Sequence, residues 1–297
     1  MNPARQSFNG HRASAGLLVA SAALLGASGC SLAFSVGDVQ CQTDADCTAR
    51  GAAFAGSVCS DEVCVPGDVE PSGPWGCLGD VQWPSAGSGK VQLSVHVIDV
   101  LTSGPPAGLT ARVCAKLDID CESPLPAPTT IDADGLLSAE LNAGFDGYIE
   151  LTGPTITPAL FFVTQPVFLD TVVPGAIPVV SPEGFGGIAQ AIGTTLDLVN
   201  SGHVYALSSD CEDEPASGVR FDLDKEGAAT TAYYMINNAP VGTATATDSA
   251  GAGGFLNVPP GFVKITGFVS ATGARVGDSS LVIRAGTVSY PRVVPTP

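Results

Sequence analysis

Thr247 to Val269 reads TDSAGAGGFLNVPPGFVKITGFV. Asp248 precedes Gly251 by three residues, the spacing of a tight turn whose carboxylate caps backbone amides and whose glycine closes with φ > 0. Phe255 to Val258 and Val263 to Val269 flank Pro259-Pro260-Gly261-Phe262, so two short apolar runs are separated by a proline-glycine break. This is how a turn, a strand, a second turn and another strand look in sequence.

The same order of landmarks occurs earlier in the chain. The strand VHVID ends at Asp99 and is followed by Pro106-Ala107-Gly108-Leu109, Thr130-Ile131-Asp132 with Gly135, Ala143-Gly144-Phe145, and a strand from Tyr148. The later copy starts with VYALSSD, ending at Asp210. It continues through Pro215-Ala216-Ser217-Gly218-Val219 and Ala246-Thr247-Asp248 with Gly251 to Pro259-Pro260-Gly261-Phe262. A period of roughly 110 to 117 residues is the size of a sandwich domain, too long for a solenoid unit. In both copies the pattern resembles the carboxypeptidase regulatory-like, or transthyretin-like, β-sandwich: a first strand, P-x-G-V/L, T-D-x-x-G, then P-x-G-[FY] before another strand. The earlier copy departs from it with Ile131 before Asp132 and with Asn142-Ala143 in place of the proline pair. The resemblance implies a seven-stranded sandwich that accompanies secreted peptidases or serves in adhesion and scaffolding, and it implies little about function.

Other runs agree with this reading. Val91, Leu93, Val95 and Val97 alternate with polar residues at the period of a half-buried strand. Similar runs cover residues 109–117, 148–151, 159–169, 204–207, 219–223, 232–236 and 281–290. One helix is expected after Ser181, with Pro182 in its first turn and Phe185, Ile188, Ala189 and Ile192 on one face. The expected fold is therefore all-β: two tandem Greek-key, prealbumin-like β-sandwiches with a small disulfide-rich N-terminal module and one short connecting helix. The expected divisions are 1–29 signal peptide, 30–40 tether, 41–66 cysteine-rich module, 67–89 linker, 90–175 first sandwich, 176–200 connector and 201–292 second sandwich.

Arg5, His11 and Arg12 precede the apolar run AGLLVASAALLGA from Ala15 to Ala27. A basic start followed by a short apolar stretch reads as an export signal and is too short for a membrane-spanning helix. Ala27-Ser28-Gly29-Cys30 resembles a lipobox, which implies cleavage before Cys30 and acylation of its sulfur, and Ser31 resembles an outer-membrane address. Of nine cysteines, Cys30 would go to lipid, leaving an even set suited to an oxidising compartment. Cys41, Cys47, Cys59 and Cys64 are too few residues apart to enclose a core and would be stapled by disulfides, whose spacings do not suit zinc. Three pairings are open to them, and Cys41 with Cys59 and Cys47 with Cys64 is preferred. Cys114 and Cys121 bracket a short loop and would pair with each other. Cys77 and Cys211 are left to join the linker to the start of the second copy.

Apolar residues make up 45% of the chain and charged residues 14%, with 36 glycines and 23 prolines, a composition against disorder and against long helices. The formal net charge is −17, and the Lys and Arg residues are dispersed, which excludes nucleic acid as a natural partner. His96 and His203 are the histidines beyond the signal peptide, too few for a three-histidine zinc site, and no H-E-x-x-H or G-x-S-x-G occurs. The run from Ser85 to Lys90 (SAGSGK) fails as a phosphate loop because Pro84 stands at its first glycine and Val91 at its Ser/Thr. Asp132 and Asp134 are weak calcium candidates, as are Asp210 and the acids after it, without a complete EF-hand pattern. No cofactor and no enzymatic activity are expected. The expected role is a lipid-anchored cell-envelope protein, on the outer membrane, presenting sandwich domains to envelope proteins or polysaccharide. The alternative is a calcium-dependent or carbohydrate-binding surface module.

Overall fold

The computed structural model describes residues 39–50, 54, 57–66, 73–83, 87–100, 102–127 and 129–297. The signal peptide, Cys30, most of the expected tether, and residues 67–72 and 84–86 of the expected linker lie outside the described residues. The chain divides into two compact units, up to Asp68 and from Val69 onward.

The first unit is the cysteine-rich module. Helix α1 (Asp44–Thr48) is followed by β1 (Ser57–Ser60) and β2 (Val63–Pro66), which pair antiparallel. Asp61 and Glu62 both take positive φ between them, the requirement of a two-residue hairpin turn. Asp46 starts the helix by accepting the backbone N–H of Thr43 at 2.8 Å and that of Gln42 at 2.9 Å. These contacts hold its carboxyl below the usual carboxylate range. The sequence contained this signal in Thr43-x-x-Asp46, a variant of the capping box, and α1 is an addition to the single helix expected. Disulfides Cys41–Cys59 and Cys47–Cys64 tie the helix and the segment before it to the hairpin.

The second unit contains two copies of one sandwich. In the first, β3 (Lys90–Asp99), β4 (Thr110–Ala115), β5 (Thr129–Ile131), β6 (Leu136–Asn142), β7 (Gly147–Thr152), β8 (Ala159–Phe162) and β9 (Thr171–Val179) form two layers, β5-β6-β3-β9 and β4-β7-β8. After helix α2 (Pro182–Ala191) comes the second copy, β10 (Gly202–Ser208), β11 (Val219–Leu223), β12 (Thr231–Ile236), β13 (Ala239–Val241), β14 (Ala252–Val258), β15 (Gly261–Val269), β16 (Arg275–Ile283), β17 (Val288–Tyr290) and β18 (Arg292–Val293). Its layers are β13-β12-β14-β10, joined by β17 and β18 at β10, and β11-β15-β16. In each copy the last strand runs parallel to the first: β9 beside β3, and β17 and β18 beside β10.

The repeated landmarks do the same work twice. Asp132 accepts the amides of Asp134 and Leu136, and Asp248 accepts that of Ala250. Gly135 and Gly251 close the two turns at φ +78 and +63. A Cβ on Gly135 would sit 2.6 Å from the carbonyl oxygen of Val97, and one on Gly251 2.5 Å from that of Ser208, so each turn is pressed onto the first strand of its own copy. The matching bonds are Val97 N–H to Gly135 O at 2.9 Å and Ser208 N–H to Gly251 O at 2.7 Å.

The copies are not separate beads. β17 pairs in parallel with β10 on one side and with β8 on the other, so one layer from each copy merges into a nine-stranded sheet. Within that sheet, strands β7, β8 and β14 are nearly continuously buried, which leaves them covered on both faces. One face packs Ile149, Phe161 and Tyr205 toward the β5-β6-β3-β9 layer and α2. The other packs Leu160, Val204 and Phe255 toward the β11-β15-β16 layer. Ser181 caps α2 by accepting the N–H of Gly184 at 3.1 Å, and Phe185, Ile188 and Ala189 are buried in the first of these cores.

Candidate interaction surface

Residues 159–169 read in sequence as one strand, but the strand stops at Phe162. Pro166 removes a donor, and past Phe162 the chain runs on irregularly, antiparallel to the residues just before β7. There Val163 N–H donates to Gly147 O at 3.0 Å and Gly144 N–H to Val167 O at 2.7 Å. Thr164 Oγ1 donates to the carbonyl of Arg292 at 2.8 Å, which ties this segment to the end of the second copy. Opposite lie the Asp210–Asp213 turn, the C-terminal residues and the loop from Gly73 to Val81.

Together these segments enclose a groove of about 650 Å³. Its floor is apolar, with Phe161, Phe162, Val167, Val173 and Val294. Its rim carries Asp170, Asp210 and Asp213 against a single guanidinium, Arg292. Arg292 is engaged by Asp213 Oδ1 and Ser209 Oγ, each at 2.8 Å. Asp210 Oδ1 accepts the amides of Glu212 and Glu214 at 2.9 and 3.1 Å. Leu169 and Val172 stand on the rim 67% and 70% exposed.

The Cys77–Cys211 disulfide lines the groove. Cys211 N–H also donates to Pro74 O at 3.0 Å, while Trp75 and Leu78 pack on the second core, so the middle of the expected linker is docked. Cys114–Cys121 closes the loop at the end of β4, away from the groove lining. Asp132 and Asp134 are exposed on a turn where Asp132 Oδ1 already accepts two amides. Among the described residues, the clusters of three potential metal ligands are Cys41, Cys47 and Cys64, and Cys114, Cys121 and Glu150, whose sulfurs are all in disulfides.

His96 is exposed on β3. His203 is fully buried on β10, its Nδ1 accepting the amide of Asn257 at 3.2 Å and its ring edge-on to Phe185 at 4.9 Å. Burial pushes its pKa down to about 4. Neither imidazole lines the groove, and neither has a nucleophile as a hydrogen-bond partner among the described residues. Sequence reasoning missed the groove itself, because it is assembled from four segments far apart in the chain. Leu169 was legible only as the end of the expected 159–169 strand, and Val172 fell in no expected element.

No protein-family model matches the chain, and no curated protein matches it. Among solved structures, similarity extends over 70% of this chain and 34% of the Bacillus anthracis TIE protein, at 11% identity and a TM-score of 0.21. It extends over 69% of this chain and 68% of a streptococcal ancillary pilin, at 13% identity and a TM-score of 0.22. For the shaft pilin SpaA of Lactobacillus rhamnosus GG the shares are 71% and 98%, at 10% identity and a TM-score of 0.20. The chain thus spans about a third of the length of the first of these proteins. No helix among the described residues is long and apolar enough to cross a membrane.

Proposed function

We propose that this chain is a lipid-anchored cell-envelope protein without enzymatic activity, whose two sandwiches, of the carboxypeptidase regulatory-like kind, present an interaction surface outside the cytoplasm. The observation that carries this reading is the cysteine pattern. All eight cysteines from Cys41 onward pair with one another in four disulfides, which suits an oxidising compartment. Cys30, outside the described residues, stands at the position where the lipobox resemblance implies acylation. The outer membrane is the proposed location, with other envelope proteins or polysaccharide as partners.

The test is fractionation of producing cells with the native chain and with Cys30→Ser, together with mass spectrometry of the mature N-terminus. Membrane association that disappears in the variant, and a diacylglyceryl mass on Cys30, are the expected results. A native chain that stays in the cytosol with reduced thiols removes the reading.

A further inference from the structure

We infer that the groove beside β9 is a docking site for an extended segment of another protein in which apolar residues alternate with lysine or arginine. The inference deepens the surface-protein reading by naming a site and a partner chemistry, and it does not depend on lipid attachment.

Among the described residues β9 is the outermost strand of its layer, with β3 on one side and no strand on the other. An exposed edge with apolar side chains invites a further strand, and proteins usually blunt such edges with proline, bulges or charge. Here the blunting is confined to the later part of β9. Pro174, Gly175 at φ +75 and Pro178 interrupt it, and Thr157 N–H covers Val180 O at 2.8 Å. From Thr171 to Val173 the strand has no proline, and Val172 within it and Leu169 just before it are exposed. The open stretch of edge is also the stretch that borders the groove, whose apolar floor could receive alternate side chains of an added strand.

Charge then selects the occupant. The rim holds three carboxylates, Asp170, Asp210 and Asp213, and the one cation, Arg292, is already committed to Asp213. Glu212 and Glu214 are exposed immediately beside it. A second copy of this chain, with formal charge −17, is a poor match, whereas a strand carrying lysines on its other face neutralises the rim.

The experiment uses the full mature chain and two hexapeptides, one alternating lysine with valine and one alternating glutamate with valine. Binding is followed by titration, and amide exchange locates it. The lysine peptide is expected to bind and to slow exchange from residue 169 to 173, and the glutamate peptide is not. Leu169→Lys combined with Val172→Lys, both on the surface and checked for an unchanged melting temperature, should weaken the lysine peptide about tenfold. Asp210→Asn keeps the oxygen that caps its turn and should weaken it about threefold. Equal binding of the two peptides, no protection at residues 169–173, or affinity unchanged in both variants overturns the inference. If that happens while the native chain still fractionates with membranes through Cys30, the docking site alone is lost and the surface-protein reading stands.

Discussion

Glu150 is the most constrained charge among the described residues. It lies on β7, 6% exposed, and receives Arg112 from β4 on one oxygen and Arg284, from the end of β16, on the other. One carboxylate thus links both copies, and removing it strands a guanidinium that is only 13% exposed. Glu150→Gln is expected to cost about 3 kcal/mol in urea unfolding. Arg112→Gln should cost less, since Arg112 is 43% exposed and its loss leaves Glu150 with Arg284. His203 makes stability depend on pH. Its imidazole is held neutral, with the folded pKa about 4 against 6.5 for the free group. Between those values the unfolded chain binds the extra proton, so the contribution is complete above pH 6.5 and disappears as pH falls through about 4. Urea midpoints measured across that window should drop more steeply for the native chain than for His203→Gln. Neither role was legible in sequence, where both residues simply fall in apolar strands.

At the scale of elements, the strands found by period-2 alternation are those with one buried face, such as β3. β6 carries the same alternation, with Leu137, Ala139 and Leu141 buried, yet lay hidden behind a turn-rich stretch. β9 was missed because Pro174 and Pro178 speak against a strand, and an edge is where a strand tolerates them. The run expected from Leu281 to Tyr290 is two strands, β16 and β17, divided at Ala285 and Gly286 and placed in different layers. The disulfides act on very different lengths of chain. Cys77–Cys211 spans 134 residues and Cys114–Cys121 only 7. Loop-closure entropy assigns them about 5 and about 2.5 kcal/mol. Replacing Cys77 and Cys211 by serine should therefore lower the urea midpoint more than replacing Cys114 and Cys121, a comparison that one pair of denaturation curves decides.

At the scale of the whole molecule, β17 is the joint. Because it pairs with β10 and with β8, the two sandwiches share a sheet and two cores, each drawing residues from both copies. They are expected to unfold together. Amide exchange in β8 and β14, followed through a urea series, should report the same opening free energy, and two separated transitions would contradict the shared sheet. Sequence by itself determined the all-β class, the duplication and its turns, because Asp-x-x-Gly spacing and period-2 alternation are local chemistry that each copy satisfies within its own residues. Only the tertiary structure decided that the copies fuse through β17, that four distant segments enclose an acidic, apolar-floored groove, and that Glu150 joins two arginines across the repeat. Those outcomes depend on which strand edges meet after folding, and an edge leaves no mark in the pattern of side chains along a strand.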